Sequence, residues 1–386
     1  MIDNYIPYNR PSIDEAEIEA VVATLRSGWI TTGPRVAEFE QRFAAYTDTV
    51  HAVGLSSATA ALHLALLAAG VGPGDEVILP VFTFVACAHV IVHLGATPVF
   101  VDSSPDDLNL DPAAVERAVT SRTRALMVVH YAGQPARMDA LLAIAARNNL
   151  FVLEDAAHAV GARYRGRPAG SLGDAAAFSF YATKNLAMGE GGMLTTNRDD
   201  VAETARLYAL HGMSRDAWKR YGRGGSWFYE VVAPGYKYNL SDIQAALGLT
   251  QLDRLDERNA RRAALARRLT GALSDCEAVE PLAVRPEVDH AWHLYVIRLR
   301  DGTLAIDRNR FIEELEARGI ATSVHFIPLH LHPYYREMHG TRAGDFPVAE
   351  SSFERAISLP LYPSMTEGDV DRVADAVHEV ARTHAR

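Results

Sequence analysis

Lysine is almost absent from this chain of 386 residues, in which arginine carries nearly all of the positive charge. Only three of the 38 basic residues are lysines, namely Lys184, Lys219 and Lys237. Arginine stays protonated near neutral pH and cannot replace lysine as an amine nucleophile, whereas lysine can be tuned for Schiff-base chemistry. If the protein is a lysine enzyme, its reactive amine therefore belongs to one of these three residues.

Cysteine is also scarce, and the chain has neither an excess of positive charge nor a long apolar run. Cys87 and Cys276 are far apart and match no metal or disulfide spacing, a pattern that favours a reducing compartment and a cytoplasmic protein. Acidic residues outnumber basic ones by 48 to 38, which disfavours non-specific binding to nucleic acid or to anionic membranes. No stretch approaches the roughly 18 apolar residues of a membrane span, and the first residues lack the apolar core of a secretion signal.

Short hydrophobic runs alternate with helical stretches between residues 51 and 200. This alternation is typical of repeated βα units around a mostly parallel sheet that helices cover on both faces. The predicted strands are HAVGL (51–55), EVILP (76–80), TPVFVD (97–102), ALMVVHY (125–131), LFVLED (150–155), AAFSFY (176–181) and GMLTTN (192–197). Thr83 is predicted to cap the helix that follows it, and Asp111 with Pro112 is predicted to start another helix.

The last third of the chain has a different pattern. Ser241 opens a long helical stretch, whose length suggests a connector between domains. The elements predicted beyond it are strands at 291–299 and 320–329, a helix between them at 311–319, and a terminal helix. Because a domain has roughly 100–200 residues, we predict two domains, a large one over residues 1–245 and a small α+β one over residues 246–386.

A candidate phosphate site lies where the strand HAVGL ends. It runs directly into Ser56, Ser57, Ala58 and Thr59 and then into a helix. Backbone N–H groups at a helix start have no intrahelical acceptor and lie at the positive end of the helix dipole, which favours a phosphate. The alternative is ordinary capping of a buried helix by serine or threonine. This segment alone leaves both interpretations open.

A carboxylate and a lysine follow two other predicted strands. Asp155 ends a strand at the carboxyl edge of the sheet, where it either holds a proton on a heteroaromatic nitrogen or caps the next helix. Lys184 follows another strand beside the same edge, whereas Lys219 lies in a charged, glycine-rich loop and is expected on the surface. Ser179 precedes Lys184 and can offer a hydroxyl to a phosphate.

A phosphate cradle, an acid for a ring nitrogen and a Schiff-base lysine are together the requirements of pyridoxal 5′-phosphate (PLP) chemistry. The combination is more specific than any of its parts, and we therefore predict PLP as the cofactor. Phe84 adds an aromatic ring that either stacks on the pyridine or packs in the core.

These and other segments along nearly the whole chain resemble the DegT/DnrJ/EryC1/StrS family of sugar aminotransferases. The matching segments are SGWITTGP, SSATAALHLAL, GDEVILPVFTFVA, GATPVFVD, VVHYAGQPARMD, EDAAHAVGA, FSFYATKN, EGG, PGYKYNLSDIQAALGLTQL, AWHLYVIRL and SVHFIPLHLHPYYRE. Within the family, SSATA, EDAAHAVG and GYKYNLSD are most similar to the branch of UDP-4-amino-4-deoxy-L-arabinose aminotransferases. The resemblance implies an α/β fold, PLP-dependent transferase fold type I, with a three-layer αβα large domain and a smaller α+β C-terminal domain.

The resemblance also implies roles around the cofactor ring. Lys184 would form the Schiff base with the cofactor and move protons, and Asp155 would pair with the pyridinium nitrogen. His158, where many relatives have glutamine, would contact the side of the ring that carries the hydroxyl. Phe84 would take the stacking position, which some relatives fill with tryptophan.

For the phosphate, the resemblance implies the backbone amides of Ala58 and Thr59 and the hydroxyl of Ser179. Asn239 would reach the phosphate of the cofactor in the neighbouring subunit, which implies a homodimer with shared active sites. Many relatives read GYNYR where this chain reads GYKYN, so the role could fall to Lys237 instead.

The implied substrate contacts are fewer. Thr31, Thr32 and His325 match family segments near the sugar nucleotide. Arg220 and Arg223 are candidates to clamp a diphosphate, the alternative being solvated loop arginines. His325, His330 and His332 could also suggest a metal cluster, but they lie in a proline-interrupted segment without nearby acidic ligands. A metal is therefore the minor interpretation, and we expect none.

The activity implied by the family is transfer of an amino group from L-glutamate to a nucleotide-linked 4-keto sugar. The sugar would be a UDP- or dTDP-linked 4-keto-6-deoxyhexose or 4-ketopentose, and amination at C3 or of a cyclitol ketone stays open. A sugar dehydratase is disfavoured because relatives of that type replace the Schiff-base lysine with histidine. A non-catalytic binding protein is disfavoured because Asp155, Ser179 and Lys184 are all present.

Overall fold

The computed structural model describes residues 5–213 and 228–386. The helices are α1 (Glu15–Ser27), α2 (Pro34–Thr47), α3 (Ala58–Ala68), α4 (Ala86–His93), α5 (Pro112–Ala118), α6 (Met138–Asn148), α7 (Asp199–Ala209), α8 (Asp242–Asp253), α9 (Leu255–Ala272), α10 (Arg308–Ala317), α11 (Pro333–His339), α12 (Pro347–Arg355) and α13 (Glu367–Thr383). The strands are β1 (His51–Leu55), β2 (Glu76–Pro80), β3 (Thr97–Val101), β4 (Thr123–Val129), β5 (Phe151–Asp155), β6 (Arg163–Tyr164), β7 (Arg167–Pro168), β8 (Ala175–Ser179), β9 (Gly192–Thr196), β10 (Val279–Pro281), β11 (Val288–Asp289), β12 (Tyr295–Leu299) and β13 (Ala356–Leu359). Across these two described ranges, no helix has the length and apolar character needed to span a membrane.

A seven-stranded sheet in the order β1-β9-β8-β5-β4-β2-β3 is the centre of the larger part of the molecule. Strands β3, β2, β4, β5 and β8 are parallel, whereas β9 is antiparallel to both β8 and β1. The predicted mostly parallel sheet and its seven strands are therefore confirmed. Because β1 and β8 are both antiparallel to β9, the C-terminal ends of β1, β2, β5 and β8 lie at one edge of the sheet.

Helices cover both faces of this sheet, as its hydrophobic strands predict. Val77 and Leu79 of β2 pack in one core with residues of α3 and α4. Ile78, between them, packs in a second core with residues of α5 and α6. Side chains along a strand alternate between faces, so each face receives its own core and the three-layer αβα arrangement is confirmed.

Two predicted helix starts have different outcomes. Asp111 accepts hydrogen bonds from two backbone N–H groups in the first turn of α5, and Pro112 is the first residue of that helix, as predicted. The prediction that Thr83 caps α4 is wrong, because this helix begins later, after Val85, without a side-chain cap. The Thr83 hydroxyl instead lies 3.3 Å from Cys87 Sγ.

The stretch after Ser241 is two helices rather than one. A capping box formed by Ser241 and Gln244 starts α8, and the helix breaks at Arg254 before α9 begins. Apolar residues of α8 pack with α2, whereas those of α9 from Leu265 onward pack with α13 and β12. A domain boundary between residues 245 and 246 would fall inside α8, and we propose that the division lies at the break instead.

The C-terminal region is α+β, with an antiparallel sheet in the order β10-β12-β13. The predicted strand at 291–299 begins only at Tyr295, and the predicted strand at 320–329 is wrong. That segment makes only isolated bridges, as at Ser323. The backbone carbonyl of His325 accepts a hydrogen bond from a tyrosine hydroxyl, and Pro328 has no N–H to donate to a neighbouring strand.

Two consecutive carboxylates end β5. Glu154 is fully buried and accepts hydrogen bonds from His130 Nε2 at 2.8 Å and from the backbone N–H groups of Gly170, Leu172 and Gly173 at 2.8 to 3.0 Å. Burial opposes ionisation, but the hydrogen bonds from His130 and the amides outweigh it and lower the pKa of Glu154. Because neighbouring side chains of a strand point to opposite faces, Asp155 points away from this cluster.

Candidate active site

The residues that follow β1, β2, β5 and β8 converge on one cavity of about 340 Å³. This volume is of the size that holds a small molecule. Seven of the eight predicted cofactor residues line its wall, namely Ala58, Thr59, Phe84, Asp155, His158, Ser179 and Lys184.

The helix α3 starts at the cavity wall. Ser57 is its N-cap, and its hydroxyl accepts a hydrogen bond from the Ala60 N–H at 3.1 Å, so the capping interpretation is correct for this residue. The amides of Ala58 and Thr59 belong to the first turn, where no intrahelical acceptor exists, and both residues line the cavity. Ser179 lines the same wall. These groups can together bind a phosphate.

Gly192 lets β9 pass against the start of α3. A Cβ at this position would lie 2.2 Å from the backbone carbon of Ser57 and 2.5 Å from the amide nitrogen of Ala58. Gly192 also pairs with Ser179 across the sheet. The absence of a side chain at Gly192 therefore lets the start of α3 and Ser179, the two sides of the predicted phosphate site, lie close together.

We expect the Gly192→Ala variant to lose about 2 kcal/mol or more of unfolding free energy, because the added methyl meets backbone that cannot rotate away. Urea denaturation followed by circular dichroism measures the loss. The matched control is Gly271→Ala in α9, where a Cβ meets nothing within 4 Å and alanine is the better helix former, so this variant should be as stable as the parent or more so. Equal stability of the two variants would contradict the proposed close approach.

Asp155 is held by two donors of its own chain. Its Oδ1 accepts a hydrogen bond from the Ala157 N–H at 3.0 Å, and its Oδ2 accepts one from Cys87 Sγ at 2.9 Å. Burial first, and then the Asp155 carboxylate, raise the pKa of the Cys87 thiol well above its usual range, so the thiol stays protonated and donates. The residues after Asp155 form turns, and its interpretation as a helix cap is therefore wrong.

Lys184 lies in a turn after β8, and its backbone N–H donates to the Tyr181 carbonyl at 2.8 Å. Although the side chain is reached from the cavity, burial lowers the pKa of Lys184 to about 8, against the opposing influence of the Asp155 carboxylate. The amine is therefore available in its neutral, nucleophilic form nearer to physiological pH than an ordinary lysine amine.

Three histidines surround the amine. Nε2 of His293 lies 3.5 Å from Lys184 Nζ, and the ring of His293 lies 4.4 Å from that of His158. Burial, and then the charge of Lys184, lower the pKa of His158 and of His293 well below the usual range. The same two causes lower the pKa of His325 to about 4. All three rings are therefore neutral at physiological pH.

The aromatic wall of the cavity includes Phe84. This side chain is 56% exposed, which overturns its interpretation as part of the core. Its ring centroid lies 5.9 Å from that of Phe326, and both residues line the cavity. Phe84 therefore offers a flat surface to a bound ring.

Asn239 does not line the cavity of its own chain. Its side-chain amide donates to the Thr32 hydroxyl at 2.8 Å and accepts from Lys237 Nζ at 2.6 Å, beside the end of β1. The alternative residue Lys237 is thus tied to Asn239 itself. The role of either residue in a neighbouring subunit stays a prediction.

The predicted substrate residues are not gathered in one place. His325 lines the cavity, and its Nδ1 lies 2.9 Å from the Ser358 hydroxyl. Thr31 is exposed, away from the cavity of its own chain, and its carbonyl accepts from the Asp242 N–H. Arg220, Arg223 and Lys219 lie outside the described residues.

The suggested histidine cluster does not form. His330 Nε2 pairs with Glu350 at 2.8 Å, and this acidic partner was not foreseen from the sequence. Within residues 5–213 and 228–386, no group of three or more histidine, cysteine or acidic side chains could hold a metal ion.

The residues present fit PLP. The cavity combines a reactive amine, a carboxylate held by two donors, the free amides of a helix start, a hydroxyl and an exposed aromatic ring. In addition, Nδ1 of His158 is buried without a hydrogen-bond partner. Fold and site therefore define a fold type I, PLP-dependent aminotransferase.

The chain belongs to the DegT/DnrJ/EryC1/StrS aminotransferase family, whose model matches residues 11–378. It is 51% identical over 381 residues to the spore coat polysaccharide biosynthesis protein SpsC of Bacillus subtilis, with 98% of each chain covered. It is 38% identical to Spr1654 of Streptococcus pneumoniae, named as a sugar aminotransferase and solved in its PLP-form, with a TM-score of 0.92 over 98% of this chain and 99% of that chain. It is 40% identical to DesV of S. venezuelae, with a TM-score of 0.87 over 95% of this chain and 94% of that chain.

The predicted family, fold class and aminotransferase activity are therefore confirmed. Two contacts of the site were missed, those of Cys87 with Asp155 and of His293 with Lys184. Both join residues far apart in the chain, and the only signal for His293 was its place in the segment AWHLYVIRL.

Proposed function

We propose that the protein transfers the amino group of L-glutamate to the keto carbon of a nucleotide-linked 4-keto sugar, giving the 4-amino sugar nucleotide. The sugar would be a UDP- or dTDP-linked 4-keto-6-deoxyhexose or 4-ketopentose. The observation that carries the proposal is the placement of Lys184 and Asp155 in the wall of one cavity, which the first residues of α3 also line.

In this proposal PLP, when bound, supplies the electron sink for breaking and making bonds at the amine-bearing carbon. Asp155 pairs with the ring nitrogen and keeps a proton there, because a negative charge favours the protonated form of a neighbouring base. Cys87 and the Ala157 N–H hold the carboxylate in place. The amides of Ala58 and Thr59 and the Ser179 hydroxyl would hold the phosphate, and Phe84 would offer its face to the ring.

Lys184 binds the cofactor and, once its amine is free, moves a proton as general base and acid. A pKa of about 8 suits both tasks, because neither the charged nor the neutral form is rare near neutral pH. His158, with its unpartnered Nδ1, is available to donate or accept at the hydroxyl side of the ring.

The names of the relatives support a sugar substrate. SpsC is named for polysaccharide biosynthesis and Spr1654 as a sugar aminotransferase. His325 in the cavity wall is proposed to contact the sugar nucleotide. The same role for Thr31 and Arg223 stays a prediction. Assignment to the branch of UDP-4-amino-4-deoxy-L-arabinose aminotransferases stays a prediction, and so does a cytoplasmic location.

We further propose a homodimer in which Asn239 of one copy reaches the phosphate in the other. Support comes from the position of Asn239, which is half-buried near the surface at the end of β1 and outside the cavity of its own chain. Its polar contacts to Thr32 and Lys237 hold the side chain in a fixed orientation.

The proposal is tested by incubating the PLP-loaded protein and L-glutamate with a panel of ketones. The panel contains UDP- and dTDP-linked 4-keto sugars, their 3-keto analogues and a cyclitol ketone, and products are identified by mass spectrometry and NMR. We expect amination at C4 of one nucleotide-linked sugar and no product with the Lys184→Ala variant. Amination at C3 alone, or of the cyclitol alone, would overturn the assignment to 4-keto sugars.

A further inference from the structure

A chain of side-chain amides connects the protein backbone to the amine of Lys184. It begins at α9, where Asn259 Nδ2 lies 3.0 Å from the backbone carbonyl of Val160. A carbonyl oxygen can only accept, so this end of the Asn259 amide is the NH₂ group and its Oδ1 points the other way. Gly161 makes room for the contact, since a Cβ there would lie 2.4 Å from Asn259 Nδ2.

The second amide is oriented by the same reasoning. Asn185 Nδ2 lies 2.8 Å from Asn259 Oδ1 and 2.7 Å from the backbone carbonyl of Ala291. Two acceptors around one atom require that atom to be the NH₂ donor. Oδ1 of Asn185 is consequently the atom that lies 3.2 Å from His293 Nδ1.

The orientation of Asn185 selects the tautomer of His293. Since Asn185 Oδ1 can only accept, His293 Nδ1 carries the proton, and the neutral ring then has its lone pair on Nε2. Nε2 is the nitrogen that lies 3.5 Å from Lys184 Nζ. His293 and Asn185 are both buried, with exposures of 6% each.

We propose that His293 is a positioning residue, which accepts a hydrogen bond from the amine of Lys184 whenever this amine is free, and that Asn185 and Asn259 fix the ring tautomer that makes this possible. His293 remains neutral and so adds no positive charge beside the amine. The inference rests on the proposed function only for its consequence in the reaction, in which His293 would hold the freed amine of Lys184 at the cavity wall.

Several other groups face this pair. Asp155 attracts the charged amine. Burial first, then the charge of Lys184, and then His158, Arg262 and His325 lower the pKa of His293. The effect of the hydrogen bond on the pKa of Lys184 must be separated from the effect of these charged neighbours. Changing only the acceptor, His293, achieves this.

The test uses NMR of the full chain prepared without cofactor and labelled with ¹³C at the lysine Cε. With three lysines in the chain, the spectrum is simple, and Lys184→Arg identifies the signal of Lys184. We expect His293→Phe to lower the pKa of Lys184 by about 1, a tenfold change in the protonation equilibrium, because the charged amine loses its acceptor. His293→Gln, which offers an amide oxygen to the amine, should restore most of the difference.

The control is the His290→Phe variant. In the unaltered chain the ring centroid of His290 lies 4.2 Å from that of Trp292, and this residue is not the acceptor of the amine. The variant should therefore leave the pKa of Lys184 unchanged. An unchanged pKa in His293→Phe, or no recovery in His293→Gln, would overturn the proposal. In the unaltered chain, ¹⁵N NMR of the histidines should show His293 protonated at Nδ1, and protonation at Nε2 would overturn it even if the variants do not fold. None of these readings requires transamination, so failure here is distinct from failure of the proposed function.

Discussion

Replacing Lys184 with alanine is expected to abolish the Schiff-base absorbance band of the PLP-loaded protein, leaving the band of the unlinked aldehyde, and to remove transamination altogether. Among the described residues, Lys184 is the lysine in the cavity, and its pKa of about 8 gives a larger neutral fraction near physiological pH than an ordinary lysine has. Alanine offers no amine, so PLP can bind only without a covalent link. The measurement is an absorbance spectrum with and without L-glutamate, together with product formation.

Two controls make this result specific to the amine. Lys184→Arg keeps the positive charge but cannot form a covalent link with PLP, so it should be as inactive as the alanine variant. Lys237→Arg alters a lysine outside the cavity and should keep the band. Retention of the Schiff-base band in Lys184→Ala would remove the basis for assigning the reactive amine to this residue.

The inactive variant also tests the shared active site. Subunits of Lys184→Ala mixed with subunits of Asn239→Ala should form hybrid dimers with one intact site each, recovering up to about a quarter of the parent activity in a symmetric dimer. Neither variant alone should reach this level. Absence of recovery, with hybrids shown by native mass spectrometry, would contradict the role of Asn239 in the neighbouring site.

Changing Asp155 to asparagine is expected to lower kcat by about 100-fold or more, because removing one preorganised electrostatic group from an active site costs about this much. The amide is close in shape to the carboxylate but lacks the charge that keeps a proton on the ring nitrogen. Single-turnover conversion of the PLP form by L-glutamate, followed by absorbance, measures the effect at the cofactor itself.

The control for this variant is Asp375→Asn, an exposed residue of α13, which should leave the rate unchanged. Asp155→Glu keeps the charge and should be faster than Asp155→Asn, although its longer side chain must displace the contacts from Cys87 and Ala157. An Asp155→Asn enzyme with parent kcat would show that the carboxylate does not act through its charge.

The sequence reveals those parts of the site that depend on local order in the chain. Hydrophobic runs of five to seven residues define the strands. Asp155 and Ser179 are the last residues of two strands, and Lys184 follows the second of them by five positions. Since parallel strands share one carboxyl edge, the meeting of these residues follows from the pattern.

Local sequence patterns do not predict contacts between side chains that lie far apart in the chain. Cys87 reaches Asp155 across 68 positions and His293 reaches Lys184 across 109, and neither pairing leaves a periodic signal. The prediction of a strand at 320–329 failed for a similar reason. Its hydrophobic residues satisfy a strand pattern, but its backbone groups bond to a side chain and to isolated partners elsewhere.

Glu154 does not line the cavity, but its four hydrogen bonds hold β5 in the register that places Asp155 there. If β5 slipped by a single residue, Glu154 would take the place of Asp155, and a longer carboxylate would enter the cavity without the support of Cys87. Such a slip would also leave His130 and three backbone amides without their acceptor. The buried carboxylate of Glu154 thus fixes the register of β5. A chain in which this strand is shifted by one residue would lose folding stability as well as activity.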